Sequence, residues 1–231
     1  MVAVALAIAL TGAARADLTT VYVDFGTRAG SASGLRDGNP ATWNVLADGL
    51  LPPPASKNDL VDSTGADTGI DITGMTEFDM VRGRAWTAAP PAYPNWCVDA
   101  AVSDGYKDDD YATSTVTFAD LELGQLYNFE IASTDEGAGA DQQWKLVGGG
   151  DTGWQDYDGH TDAHSDHKTL SLDMWPNAQG EIELQLKGLG RFSYLAATKI
   201  EYEIEEIPVP EPAGLGLLGL AMLATRKRRR R

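Results

Sequence analysis

Apolar and polar residues alternate with a period of two in six places along the chain. Val21, Val23 and Phe25 alternate with Tyr22 and Asp24; Val116 and Phe118 with Thr115 and Thr117; Tyr127, Phe129 and Ile131 with Asn128 and Glu130. Further on, Leu170, Leu172 and Met174 alternate with Ser171 and Asp173; Ile182, Leu184 and Leu186 with Glu181, Glu183 and Gln185; and Ile200, Tyr202 and Ile204 with Glu201, Glu203 and Glu205. In an extended chain this period puts the apolar set on one side, so each run reads as a half-buried antiparallel strand with one wet face. Gly-, Asp- and Pro-rich stretches at 34–40, 51–58 and 148–159 read as connections. No interior stretch of ten or more residues carries a 3.6-residue stripe. The pattern predicts an all-β fold, an antiparallel β-sandwich of the jelly-roll type. Its first strand lies near Leu18 and its last over 198–205.

Both ends break this pattern. Residues 2–10 are uninterrupted apolar sequence, and Ala14-Arg15-Ala16 supplies an A-x-A cleavage site before Asp17, which reads as a secretory signal peptide without the usual basic leader. At the other end Pro210-Glu211-Pro212 precedes an uncharged apolar run, 213–225, and then six consecutive cations, 226–231. Prolines end the preceding structure, the apolar run partitions into a bilayer as a short hydrophobic helix, and the cations stay on the cytoplasmic side. Everything before them then faces outward. Thirteen residues span roughly 20 Å against a hydrocarbon core of roughly 30 Å, a length suited to transient retention. The expected organisation is a signal peptide (1–16), a β-sandwich domain (17–207) and a sorting segment (208–231).

A Pro-Glu-Pro motif, a Gly- and Leu-rich helix (Gly214, Leu215, Gly216, Leu217, Leu218, Gly219, Leu220) and a terminal Arg cluster occur in that order. This arrangement resembles the PEP-CTERM sorting signal of Gram-negative bacteria, read by the membrane protease-transpeptidase exosortase. The resemblance implies export through the inner membrane by the secretion machinery and transient anchoring there by 213–225. It also implies processing by exosortase near Pro210, Glu211 and Pro212, with a destination at the cell surface or outside the cell. Val21-Tyr22-Val23-Asp24-Phe25-Gly26, Thr42-Trp43-Asn44-Val45, Asp62-Ser63-Thr64-Gly65 and Tyr194-Leu195-Ala196-Ala197-Thr198-Lys199-Ile200 recur in many exported proteins of this kind. They resemble galactose-binding-like jelly rolls over residues 18–205, a likeness of strands and turns rather than of chemistry.

Setting the two ends aside changes the charge. Residues 17–209 hold 11 Lys and Arg against 33 Asp and Glu, a net −22. Such a domain repels nucleic acid and anionic lipid, which excludes both as partners, and is compatible with divalent cations and neutral polysaccharides. Cys97 is the one cysteine, so an internal disulfide and a cysteine-based zinc site are excluded; Asn95-Trp96-Cys97-Val98 reads as a buried small hydrophobe in context.

The sharpest candidate activity is glycan binding, because tryptophan and tyrosine rings stack on pyranose faces while Asp, Asn and Gln hydrogen-bond hydroxyls. Trp86, Tyr93 and Trp96 crowd a proline-rich segment that is no central strand, and Trp154 and Tyr157 lie in a Gly/Asp-rich connection. Trp43 and Phe25 read as core. Two stretches could hold a metal. Asp104, Asp108 and Asp110 sit among four carboxylates in seven residues, which invites calcium, although the spacing matches no standard calcium loop. His160, Asp162 and His164 alternate and would share one face of an extended segment, a donor set that suits zinc. Calcium is thus the candidate cofactor, and exopolysaccharide the candidate ligand. No G-x-S-x-G elbow, HExxH helix, P-loop or dinucleotide glycine fingerprint occurs, so the expectation is a non-catalytic protein. The alternatives are a secreted carbohydrate-active enzyme, marked by an acid pair in one cleft, and a structural matrix protein without a ligand.

Overall fold

The computed structural model describes residues 17–26, 34–35, 37–46, 56–78, 80–83, 94–98, 104–108, 112–132, 141–158, 169–189 and 193–204. Residues 1–16, expected to be a signal peptide, and 208–231, expected to be a sorting segment, lie outside them. Among the described residues every regular element is a strand, and no helix is long and apolar enough to cross a membrane. Leu18–Glu203 form one compact unit.

The strands are β1 (Asp17–Asp24), β2 (Trp43–Val45), β3 (Asp71–Thr76), β4 (Met80–Gly83), β5 (Asp104–Asp108), β6 (Thr113–Ala119) and β7 (Tyr127–Ala132). They continue with β8 (Asp141–Val147), β9 (Gln155–Asp158), β10 (Leu170–Met174), β11 (Ile182–Gly188), β12 (Ser193–Leu195) and β13 (Ala197–Ile204). One sheet runs β10-β7-β13-β1-β2, a second β3-β6-β11-β8-β9, and a three-stranded sheet runs β12-β5-β4.

The alternating apolar residues meet between the two large sheets. Val21, Val23, Phe129, Ile131 and Ile200 from the first pack in one cluster with Ile72, Val116, Phe118, Trp144, Leu146, Leu184 and Leu186 from the second. Phe118 and Phe129 make an edge-to-face contact with centroids 5.1 Å apart. The fold is therefore a β-sandwich, as the two-residue period predicts.

Four features depart from the sequence reading. First, β2 pairs with β1 in parallel, Tyr22 opposite Trp43, so the first sheet is mixed rather than wholly antiparallel. Second, the outer face of β1 is not wet. Tyr22 stacks on Trp43 at 5.0 Å and on Trp96 at 6.5 Å, and a second apolar cluster with Cys97, Val98, Ala132 and Ala197 forms there. Hydrogen bonds from Asp37 N and Asn95 Nδ2 to the opposite partner's side chain tie the two covering loops together. Third, 148–159 is not one connection, since it contains β9 paired with β8. Fourth, the charged stretch from Asp104 to Asp108 is strand β5, held between β12 and β4.

Candidate functional site

The structure separates the aromatic candidates. Trp96 is only 4 % exposed and packs against Tyr22 and Trp43; Tyr157 is 3 % exposed and stacks on Trp144 at 4.8 Å. Both rings spend their faces on protein, so they are core residues and not sugar platforms. The cause at Tyr157 is the pleat: it lies opposite Gln142, on the inward row of β8 that also carries Trp144 and Leu146. Trp86 and Tyr93 lie outside the described residues. So do Asp110, His160, Asp162, His164, Pro210, Glu211 and Pro212. Asp104 and Asp108 occupy the two ends of an extended strand, about 13 Å apart at the usual rise, rather than a turn that wraps an ion. Among the described residues no group of three or more His, Cys, Asp or Glu could hold a metal.

Trp154 remains partly exposed, just ahead of β9 and over the outer face of the second sheet. That face is built by register. Thr76, Thr115, Gln185 and Lys145 form one row across β3, β6, β11 and β8, and Thr113, Lys187, Gln143 and Asp156 form the next across β6, β11, β8 and β9. The inward alternates are Val116, Leu184, Leu186, Trp144 and Leu146, all buried, which is why the outward positions of these two rows are polar.

Two lysines from this face converge on the ring of Trp154, Lys187 Nζ at 4.3 Å and Lys145 Nζ at 5.0 Å from its centroid. Lys145 also pairs with Asp151 at 2.9 Å. The hydrogen bond from Lys145, then that from the Gly153 amide, holds the Asp151 carboxyl below the usual carboxylate range. The Gly153 amide donates to Asp151 Oδ1 at 2.7 Å, closing a turn that delivers the chain to Trp154. Beside it, Gln143 Nε2 donates to Asp156 Oδ1 at 2.6 Å and Gln185 Nε2 to Glu183 Oε2 at 2.7 Å. The result is a flat ring held by two cations that rise from the sheet, within a field of amides, hydroxyls and carboxylates.

A second tryptophan was missed by the sequence reading. Trp175 follows β10 and is 50 % exposed. It continues the alternation of Leu170, Leu172 and Met174 out of phase, and that parity was the signal available. Its carbonyl accepts from the Gly149 amide at 2.7 Å, and the turn after it is closed by Asn177 Oδ1, which accepts from the amides of Gln179 and Glu181, each at 2.9 Å.

No protein-family profile matches the chain, and no curated protein matches it in sequence. Several solved structures share the fold. The ANXUR1 extracellular domain from Arabidopsis thaliana superposes with a TM-score of 0.57 at 12 % identity, covering 85 % of this chain and 52 % of that one. The ANXUR2 extracellular domain from the same plant gives 0.54 at 12 % identity, covering 84 % and 53 %. A structure of the plant peptide RALF23 with FER and LLG2 gives 0.51 at 12 % identity, covering 84 % and 53 %. The chain thus spans about half the length of the structures it resembles, and at this identity the likeness is one of fold.

Proposed function

We propose that this chain is an exported, non-catalytic glycan-binding protein, delivered to the cell surface or the extracellular matrix by a PEP-CTERM-type signal. The observation that carries the binding reading is Trp154, pinned by Lys145 and Lys187 above a polar sheet face. Both lysines rise from the sheet, and Trp154 stays partly exposed, which leaves ring surface for a pyranose. Thr113, Thr115, Gln143 and Gln185 lie on the same face to meet hydroxyls. A ring that is already fixed loses little side-chain freedom on binding, which favours the complex. The net charge of −22 over 17–209 favours a neutral polymer over an acidic one.

Delivery draws on the two chain ends and on the extracellular setting of the ANXUR neighbours. The signal peptide directs export, 213–225 arrests the chain in the inner membrane, and exosortase acts near Pro210-Glu211-Pro212. Replacing 226–231 with neutral residues is expected to weaken retention and alter processing; unchanged cell fractionation would sink the sorting reading.

Affinity electrophoresis of the full chain through gels containing the producing cell's exopolysaccharide, with and without calcium, tests the binding reading. Retardation weakened in W154A supports it, and wild-type migration equal to that in a blank gel contradicts it.

A further inference from the structure

We infer that Trp175 is a second sugar platform, at the end of the sandwich and independent of the sheet face under Trp154. The inference rests on the glycan-binding reading for its ligand class and on the backbone around Trp175 for its place.

An exposed tryptophan is ordinarily a loose surface residue. This one is built in. The residue before a proline is confined to extended conformations, and Pro176 follows it directly. Gly149 N donates to its carbonyl, and a Cβ at Gly149 would stand 3.3 Å from the Trp175 Cβ and 3.1 Å from the Pro176 carbonyl. At Gly148 a Cβ would collide with the Trp175 carbonyl, so the two loops meet backbone to backbone. On the far side of the turn the Leu121 amide donates to the Gly180 carbonyl at 2.9 Å, and Gly180, at φ +77°, has no room for a side chain beside the Leu121 carbonyl. Three loops, 120–126, 148–154 and 175–181, thus lock together through the backbone that carries Trp175, a side chain that nevertheless stands half in water. A constrained backbone at an exposed aromatic lowers the ordering cost of binding.

The surroundings select the ligand. By register Leu126 follows on beside Trp175, since Tyr127 pairs with Met174, and it is itself exposed. Gln179 lies exposed on the same turn. Glu122 and Glu181 lie in the same loops, and their negative charge opposes an anion. A neutral hexopyranose, with an apolar C–H face for the indole and hydroxyls for the amide, fits this set. One domain would then hold two glycan contacts facing different directions and could bridge two polymer strands.

The test is affinity electrophoresis of the full chain and its W154A, W175A, W175Y and double W154A/W175A variants in the producing cell's exopolysaccharide and in neutral galactomannan. The expected result is a loss of about fivefold or more in affinity for W175A, most of it recovered in W175Y, residual retardation in each single alanine variant, and none in the double variant. Thermal unfolding of W175A at the wild-type midpoint assigns that loss to the site. Wild-type affinity in W175A, or a W175Y as weak as W175A, overturns the Trp175 platform while leaving the glycan reading intact. A wild-type chain that neither polymer retards overturns both.

Discussion

The ammonium of Lys187 lies 4.3 Å from the ring centroid of Trp154, and its neighbours across the sheet, Thr113 and Gln143, are uncharged. An exposed cation–π contact is worth about 0.5–1 kcal/mol, so K187A is expected to weaken glycan affinity by roughly two- to fivefold, less than W154A does. Measured by affinity electrophoresis, a K187A variant equal to wild type would mean that the lysine does not position the ring.

Gly148 makes a sharper prediction about stability. A methyl group there would run into the carbonyl of Trp175 and also lie 2.9 Å from Met174 Cγ and 3.2 Å from Ile182 Cγ1, whereas at Gly150 nothing lies within 4 Å. Gly148→Ala should cost about 1–3 kcal/mol by forcing the two loops apart, with Gly150→Ala close to neutral. Urea unfolding of the pair decides this. Equal midpoints would show that the loops yield freely, and would remove the rigidity on which the Trp175 platform depends.

Alkaline pH should unfold the domain through its buried phenols. Burial pushes the Tyr202 hydroxyl up to about 12, with Tyr127 beside it adding to the shift, and burial likewise raises Tyr22 and Tyr127. At Lys199 burial pulls the pKa down, but Glu130 at 2.7 Å and Glu201 at 3.0 Å outweigh it and hold the ammonium above the ordinary lysine value. Every one of these groups binds its proton more tightly folded than unfolded. Their stabilisation is complete below about pH 10 and is lost as pH rises through the folded values. Urea midpoints should hold steady from pH 8 to about 10 and fall above that. A midpoint unchanged at pH 11 would contradict the burial of these phenols.

The strands that sequence made legible are those with apolar residues at every second place, β1, β6, β7, β10, β11 and β13, although Ile204 at the end of β13 is exposed. The strand β8 escaped because its inward row begins with Gln142. That side chain is 1 % exposed and clamps the Tyr194 backbone, its Nε2 donating to the carbonyl at 3.1 Å and its Oε1 accepting from the amide at 2.8 Å, so a polar residue serves as core. Likewise Asp104 to Asp108 read as a loop because charge density resembles a turn, yet pairing with β4 and β12 makes it a strand. Of the candidate site, Trp154 was readable from its Gly/Asp context, while Tyr157 shared that context and went to the core. Only the pairing of β9 with β8 separates the two. The lysines under Trp154 come from strands more than 40 residues apart in sequence, and no local pattern brings them together.

The most direct test of the account is an NMR titration that follows the indole N–H signals of the six tryptophans in the full chain as exopolysaccharide fragments are added. The account predicts that the signals of Trp154 and Trp175 move while those of Trp43, Trp96 and Trp144, buried in the two apolar clusters, stay in place. Signals that move only for the buried rings, or none that move at all, would contradict it.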